Sequence, residues 1–216
     1  MFIAPGSTVV FTGDSITDCG RARPYGDSAD DSLGNGYVAL LDWILASEGT
    51  DPPLRLINTG ISGNTVRDLA ARWNEDVLAF EPDWVSVMIG INDVWRQFDS
   101  DPAIVKPVTL DEYTATLTHL LKQLSGRVKG VLVMKPFYLE SGPGDAMRAM
   151  RDRYAQAADR VARSEGAIVV DTQAAYERVL PLRGRDRLAP DGVHPTGLGH
   201  MVLARAWLAS VGATLA

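Results

Sequence analysis

The chain has 216 residues, 46% hydrophobic and 22% charged, the proportions of an ordinary globular protein rather than a disordered or fibrous one. Acidic residues number 27 against 21 basic ones, a net charge of -6, which is the wrong sign for a surface that neutralises nucleic-acid phosphates. Cys19 is the only cysteine, which excludes an intrachain disulfide and a thiolate zinc cluster, and a chain of this length is expected to form one domain over 1–216.

The opening "MFIAPGSTVVFTGD" has no basic segment followed by an apolar run of signal-peptide length, and no stretch nears the roughly eighteen apolar residues of a membrane span. A cytoplasmic location without membrane contact is therefore expected. In chain order, "TVVFTG" reads as a first strand, followed by a long loop from Thr17 to Asn35 and a helix from Tyr37 to Ser47. A second strand, "LRLINTG", precedes a helix from Thr65 to Phe80, in which Val66, Leu69, Trp73 and Val77 make the apolar face and Arg67, Asp68, Arg72 and Glu75 the polar one.

Strand "WVSVMIG" comes next, then a second long loop from Asn92 to Thr109 and a helix from Leu110 to Leu124. Strand "GVLVMKP", a helix from Ala146 to Ser164, strand "AIVVDT", a loop containing "RGRDR" and a helix from Gly199 to Val211 complete the series. The strands are apolar on both faces, as in a parallel sheet covered by helices. Strands alternating with helices through right-handed crossovers give a three-layer α/β/α fold, a doubly wound parallel sheet of five strands in the order 2-1-3-4-5.

In such sheets ligands bind beyond the carboxyl ends of the strands. Those ends carry "GDSIT" with Ser15, "GISGNT" with Gly63 and Asn64, and "GINDVW" with Asn92 and Asp93; "DGVHP", with Asp191 and His194, precedes the last helix. Together they supply what acyl transfer from an ester needs. Ser15 is the candidate nucleophile, His194 the base that takes its proton, and Asp191, three residues earlier, the group that orients the imidazole. The tetrahedral oxyanion would meet the backbone N–H groups of Ser15 and Gly63 and the side-chain amide of Asn92, which can donate where an aspartate could not.

Taken alone, "GDS" reads more readily as a helix cap or turn than as a nucleophile. Four blocks in order, each beside a strand end or the last helix, favour the nucleophile. Asp14 and Asp93 are expected to bond nearby backbone amides, His119 and His200 to be structural or exposed, and Cys19 to be a small buried residue. Asn64, Trp95, Arg96 and Arg21 are further candidates for holding substrate, with Trp95 equally readable as a core residue and Arg21 and Arg96 as partners of the acidic loop "GDSADDS".

The four blocks resemble those of the SGNH hydrolases, also called GDSL esterases and lipases, with isoleucine replacing leucine after the first block's serine. The longer strings "GDSITDCGRARP", "LINTGISGNTVRDLAARW", "DWVSVMIGINDVWRQ" and "VHPTGLGHM" are similar to the bacterial xylan-associated acetyl esterases. The resemblance implies a flavodoxin-like fold, a serine acyl-enzyme mechanism without cofactor or metal, and removal of acetyl groups from acetylated carbohydrate such as xylo-oligosaccharides. Expected partners are an acetylated sugar or small acyl ester, and other copies of the chain where relatives self-associate, with no nucleic acid and no membrane. The alternative with the same mechanism is a short-chain lipid esterase, thioesterase or lysophospholipase. A nucleotide- or flavin-binding module is disfavoured, since neither GxGxxG nor GxxxxGK[ST] occurs.

Overall fold

Each apolar run becomes a strand, the central ones with their residues buried on both faces and the last one half-buried. Strand β1 (Thr8–Gly13) leads into one helical turn, α1 (Ser15–Asp18), then a two-residue strand β2 (Gly26–Asp27), helix α2 (Tyr37–Ser47) and strand β3 (Arg55–Asn58). There follow α3 (Val66–Ala71), α4 (Trp73–Asp76), β4 (Trp84–Met88), α5 (Ile91–Asp99), α6 (Leu110–Lys122) and β5 (Gly130–Met134). Helix α7 (Ala146–Ser164), strand β6 (Ile168–Val170) and helices α8 (Thr172–Arg183) and α9 (Gly197–Ser210) come last. This computed structural model describes residues 2–140, 142 and 144–213.

The sheet runs β2-β3-β1-β4-β5-β6. Its five longer strands are parallel and in the expected doubly wound order; the sixth, β2, is an antiparallel edge strand on β3 that the sequence reading placed in a loop. Two residues are too few to leave a hydrophobic period. Asp27 of β2 is held instead by charge, its carboxylate receiving Arg55 Nη2 of β3 at 2.6 Å. The central strands β1 and β4 are the most deeply buried, and between them the winding reverses. Fully buried Trp207 of α9 donates its indole N–H to Ser86 Oγ of β4 at 3.1 Å, fixing the last helix on the sheet's centre.

Three helical expectations change. The segment from Thr65 to Phe80 is not one helix: Arg72, at φ -113° and ψ 7°, separates α3 from α4, and a 3₁₀ turn covers Leu78–Phe80. The Arg72 guanidinium there turns inward to the carbonyls of Thr59 (2.7 Å) and Gly13 (2.8 Å), the ends of β3 and β1. The loop expected from Asn92 to Thr109 begins inside a helix, α5, which buries Ile91, Asn92, Asp93 and Val94. Helix α8 was not expected; Asp171 caps it by accepting the Ala174 N–H at 3.1 Å, and "RGRDR" forms its last residue and a following 3₁₀ turn.

Candidate active site

The sheet topology brings three loops together at the point where winding reverses. Ser15 begins α1 directly after β1, Gly63 lies in the turn after β3, and Asn92 sits in the first turn of α5 after β4. Gly13 allows this convergence, because a Cβ at that position would stand 2.2 Å from the Met88 carbonyl of the neighbouring strand. Asp14 caps α1, its Oδ1 accepting the Ile16 N–H at 3.0 Å. Ser15 is thereby left with its side chain free and its own N–H at the start of the helix, where no intrahelical partner exists.

Ser15 Oγ lies 3.0 Å from His194 Nε2, and His194 Nδ1 lies 2.6 Å from Asp191 Oδ2. The other Asp191 oxygen accepts the backbone N–H groups of Val193 (2.9 Å) and His194 (2.7 Å), so the carboxylate is oriented before it orients the ring. Burial opposes charge on Asp191, but the ring and backbone donors outweigh it and hold the carboxyl below its usual range. An ionised Asp191 accepts from Nδ1–H, which leaves Nε2 as an acceptor facing Ser15. The Gly192 carbonyl receives the Leu139 N–H at 2.9 Å, tying this loop to the segment after β5.

Opposite the serine, Ile61 to Asn64 form a turn closed by Asn64 N–H to the Ile61 carbonyl at 3.2 Å, with Gly63 at φ +83°. That angle requires glycine and leaves its N–H without an acceptor among the described residues. Asn92 gives one amide hydrogen to the Asn64 carbonyl at 3.0 Å, which fixes the side chain and leaves the second hydrogen free. The arrangement offers three donors, the N–H groups of Ser15 and Gly63 and the Asn92 amide. If they meet a developing oxyanion, Asn92→Ala should lower kcat by about 10²–10³ with little change in KM, measured with a short acyl ester.

Residues that sequence reasoning did not single out hold this frame. Asp18 Oδ2 accepts both the backbone N–H and the hydroxyl of Ser62 at 2.9 Å, tying α1 to the turn that carries Gly63. Asn58 bridges the carbonyls of Thr17 (2.7 Å) and Leu33 (2.9 Å). Their only sequence signal is a polar residue at an otherwise apolar strand end or turn.

Asp93 is buried, and both its oxygens accept the Val66 N–H at 3.0 and 3.2 Å, while burial pushes its pKa to about 7. Burial likewise raises Asp14 to about 7, against the backbone bond from Ile16 and the charge of His194. His200 is buried, accepts the Tyr37 N–H on Nδ1 at 3.1 Å and is pushed down to about 4, chiefly by desolvation. His119 is exposed on α6. Cys19 is half-buried, bonded to Asn35 Oδ1 at 3.1 Å, and its thiol is raised by burial and by Asp18, the reverse of an activated nucleophile.

The four substrate-holding candidates separate. Trp95 packs its ring against His194 at 5.6 Å, and the Arg96 guanidinium lies over that indole at 5.9 Å. Arg96 pairs with Asp99, not with the acidic loop. The Asn64 side chain is occupied by Arg72 Nε at 2.7 Å. Arg21 is a correction: it is 4% exposed and donates to the carbonyls of Gly60, Ala22 and Pro24, so it braces the loops and faces neither substrate nor the acidic loop.

The chain is similar to known proteins over nearly its whole length. The chain is 50% identical over 212 residues to the acetylxylan esterase of Geobacillus stearothermophilus, covering 98% of this chain and 97% of that one. The crystal structure of Axe2, an acetylxylan esterase from Geobacillus stearothermophilus, matches with a TM-score of 0.94 at 49% identity, over 100% of this chain and 98% of that one. LAE5, an alpha/beta hydrolase enzyme from the metagenome of Lake Arreo, Spain, matches with a TM-score of 0.90 at 44% identity, over 98% of each. Structures described as catalytic mutants of Axe2 carry S15A, D191A and H194A. Residues 11–202 match the model of the GDSL-like lipase/acylhydrolase family, and the chain belongs to that family.

Proposed function

We propose that this protein is a serine esterase that removes acetyl groups from acetylated carbohydrate, xylo-oligosaccharides in particular, with the whole chain acting as one domain. Ser15 attacks the acetyl carbonyl as His194 takes its proton, and Asp191 steadies the imidazolium. The N–H groups of Ser15 and Gly63 and the Asn92 amide bind the oxyanion. His194 then returns the proton to the departing sugar oxygen, and water activated by the same histidine releases acetate from Ser15.

The observation that carries this reading is the hydrogen-bonded chain from Ser15 Oγ through His194 to Asp191, 3.0 and 2.6 Å long. The acetyl specificity is supported by the 50% identity to an acetylxylan esterase. An open setting for the histidine and aspartate, 48% and 44% exposed, suits a sugar ester better than a long acyl chain, which needs an apolar channel. The acidic surface and a lone, free thiol also fit a cytoplasmic enzyme acting on short oligosaccharides. Among the described residues no helix is long and apolar enough to cross a membrane.

Acetate release from acetylated xylo-oligosaccharides, measured beside a chain-length series of simple acyl esters, tests the reading. Acetyl esters should be the best substrates. Activity that rises beyond about eight carbons, with ~0.8 kcal/mol available per buried CH₂, would point to a lipid esterase instead.

A further inference from the structure

A cavity of about 290 Å³ has Asn92, one of the three oxyanion donors, in its wall. Its charged lining is unequal in what it leaves available. Asp68 gives one oxygen, Oδ2, to the N–H and hydroxyl of Thr65, at 2.8 and 2.6 Å, and keeps the other toward solvent, while buried Asp93 turns both of its oxygens to the N–H of Val66. Arg67 is also spent, on Glu112 and on the carbonyls of Lys106 and Pro107, which pins the segment carrying Lys106 against α3.

Two cations remain. Arg96 gives only Nη1 to Asp99, at 2.7 Å, so its Nε–H and Nη2–H, the edge that matches a carboxylate in a bidentate fashion, have no acceptor among the described residues. Its Nη2 lies on the side of the oxyanion turn, 4.0 Å from where a Cβ on Gly63 would stand. Lys106 is exposed at the rim and makes no side-chain hydrogen bond or ion pair among the described residues. Ile104 and Val105, themselves exposed, add an aliphatic wall, and the volume is at the small end for a ligand pocket, enough for one compact group.

We propose that this cavity is a subsite for the carboxylate of an acidic sugar, so that the enzyme takes acetylated oligosaccharides bearing a uronic acid in preference to neutral ones. The proposal rests on the esterase reading above and adds a substrate class to it. A neutral sugar would find hydroxyl partners here but would leave Lys106 without a counter-charge and the open edge of Arg96 without an anion, since Asp99 takes only Nη1. A carboxylate receives the open edge of Arg96 while Lys106 supplies charge from the rim. Trp95, between Arg96 and His194, sets the spacing from the carboxylate to the ester under attack.

The test compares kcat/KM for two acetylated xylo-oligosaccharides of equal length, one neutral and one carrying a uronic-acid branch, in the native enzyme and in Lys106→Glu and Arg96→Gln. The native enzyme should favour the acidic substrate by about fivefold, the scale of two partly exposed charge pairs. That preference should vanish in Lys106→Glu, shrink in Arg96→Gln, and weaken in the native enzyme as salt is raised. Equal rates on both substrates in the native enzyme, or a preference insensitive to both substitutions and to salt, would overturn the subsite while leaving the esterase reading intact. Absence of turnover on either substrate would remove the esterase reading and the subsite with it.

Discussion

Replacing Ser15 by alanine is expected to lower turnover of a short acyl ester by a factor on the order of 10⁴ or more, while leaving the fold and the melting temperature nearly unchanged. The substitution removes one oxygen. Among the described residues no other hydroxyl or thiol hydrogen-bonds to His194: Cys19 bonds to Asn35 Oδ1, lies 3.3 Å from His200 Nε2 instead, and has its pKa raised by burial and Asp18. Because α1 is capped by Asp14, the Ser15 hydroxyl does not hold the helix start. A large loss of activity together with a large loss of stability would show that the hydroxyl is structural. Retained activity would remove Ser15 from the chemistry altogether.

Asp191→Asn should be almost as damaging, lowering kcat by about 10⁴ at neutral pH with the backbone unmoved. The side-chain oxygen of asparagine can still accept the N–H groups of Val193 and His194, which keeps the loop in place. Its NH₂ then faces His194 Nδ1 and donates to it, which forces the ring proton onto Nε2. That tautomer presents a donor to Ser15 where a base is required. The check is kcat and KM measured separately: a fall in kcat with KM nearly constant is expected, and a rise in KM alone would assign Asp191 to substrate binding.

The sequence and the structure agree most closely where a single physical signal dominates. Strand β1 and helices α2 and α7 match their expected spans because an apolar run or an amphipathic period continues to a clear boundary. Agreement fails where tertiary bonds override local pattern. The apolar face of Val66, Leu69, Trp73 and Val77 does predict one helix, but Arg72 breaks it by binding carbonyls at the ends of two strands distant in sequence. Helix α8 escaped notice because "TQAAYERVLPLR" has little helical amphipathicity and contains Pro181, and α5 because two of the four buried residues in its first turn, Asn92 and Asp93, are polar.

The candidate site was legible as residue types at strand ends, since the fold class fixes which ends converge. Its distances were not. That Ser15 meets His194 across 179 positions depends on the Gly192 hook to Leu139 and on the close approach at Gly13, neither of which leaves a local pattern. Arg21 illustrates the opposite error. An arginine near the site suggested substrate or an acidic partner, and only the structure reveals three carbonyls waiting for it.

The most direct measurement is to treat the enzyme with a serine-directed phosphonate ester and locate the adduct by peptide mass mapping, following residual activity in parallel. One adduct per chain on the peptide containing Ser15, forming at the rate at which activity disappears and absent from Ser15→Ala, is the predicted result. An adduct on another residue, or full inactivation without modification of Ser15, would contradict the assignment of Ser15 as the attacking group.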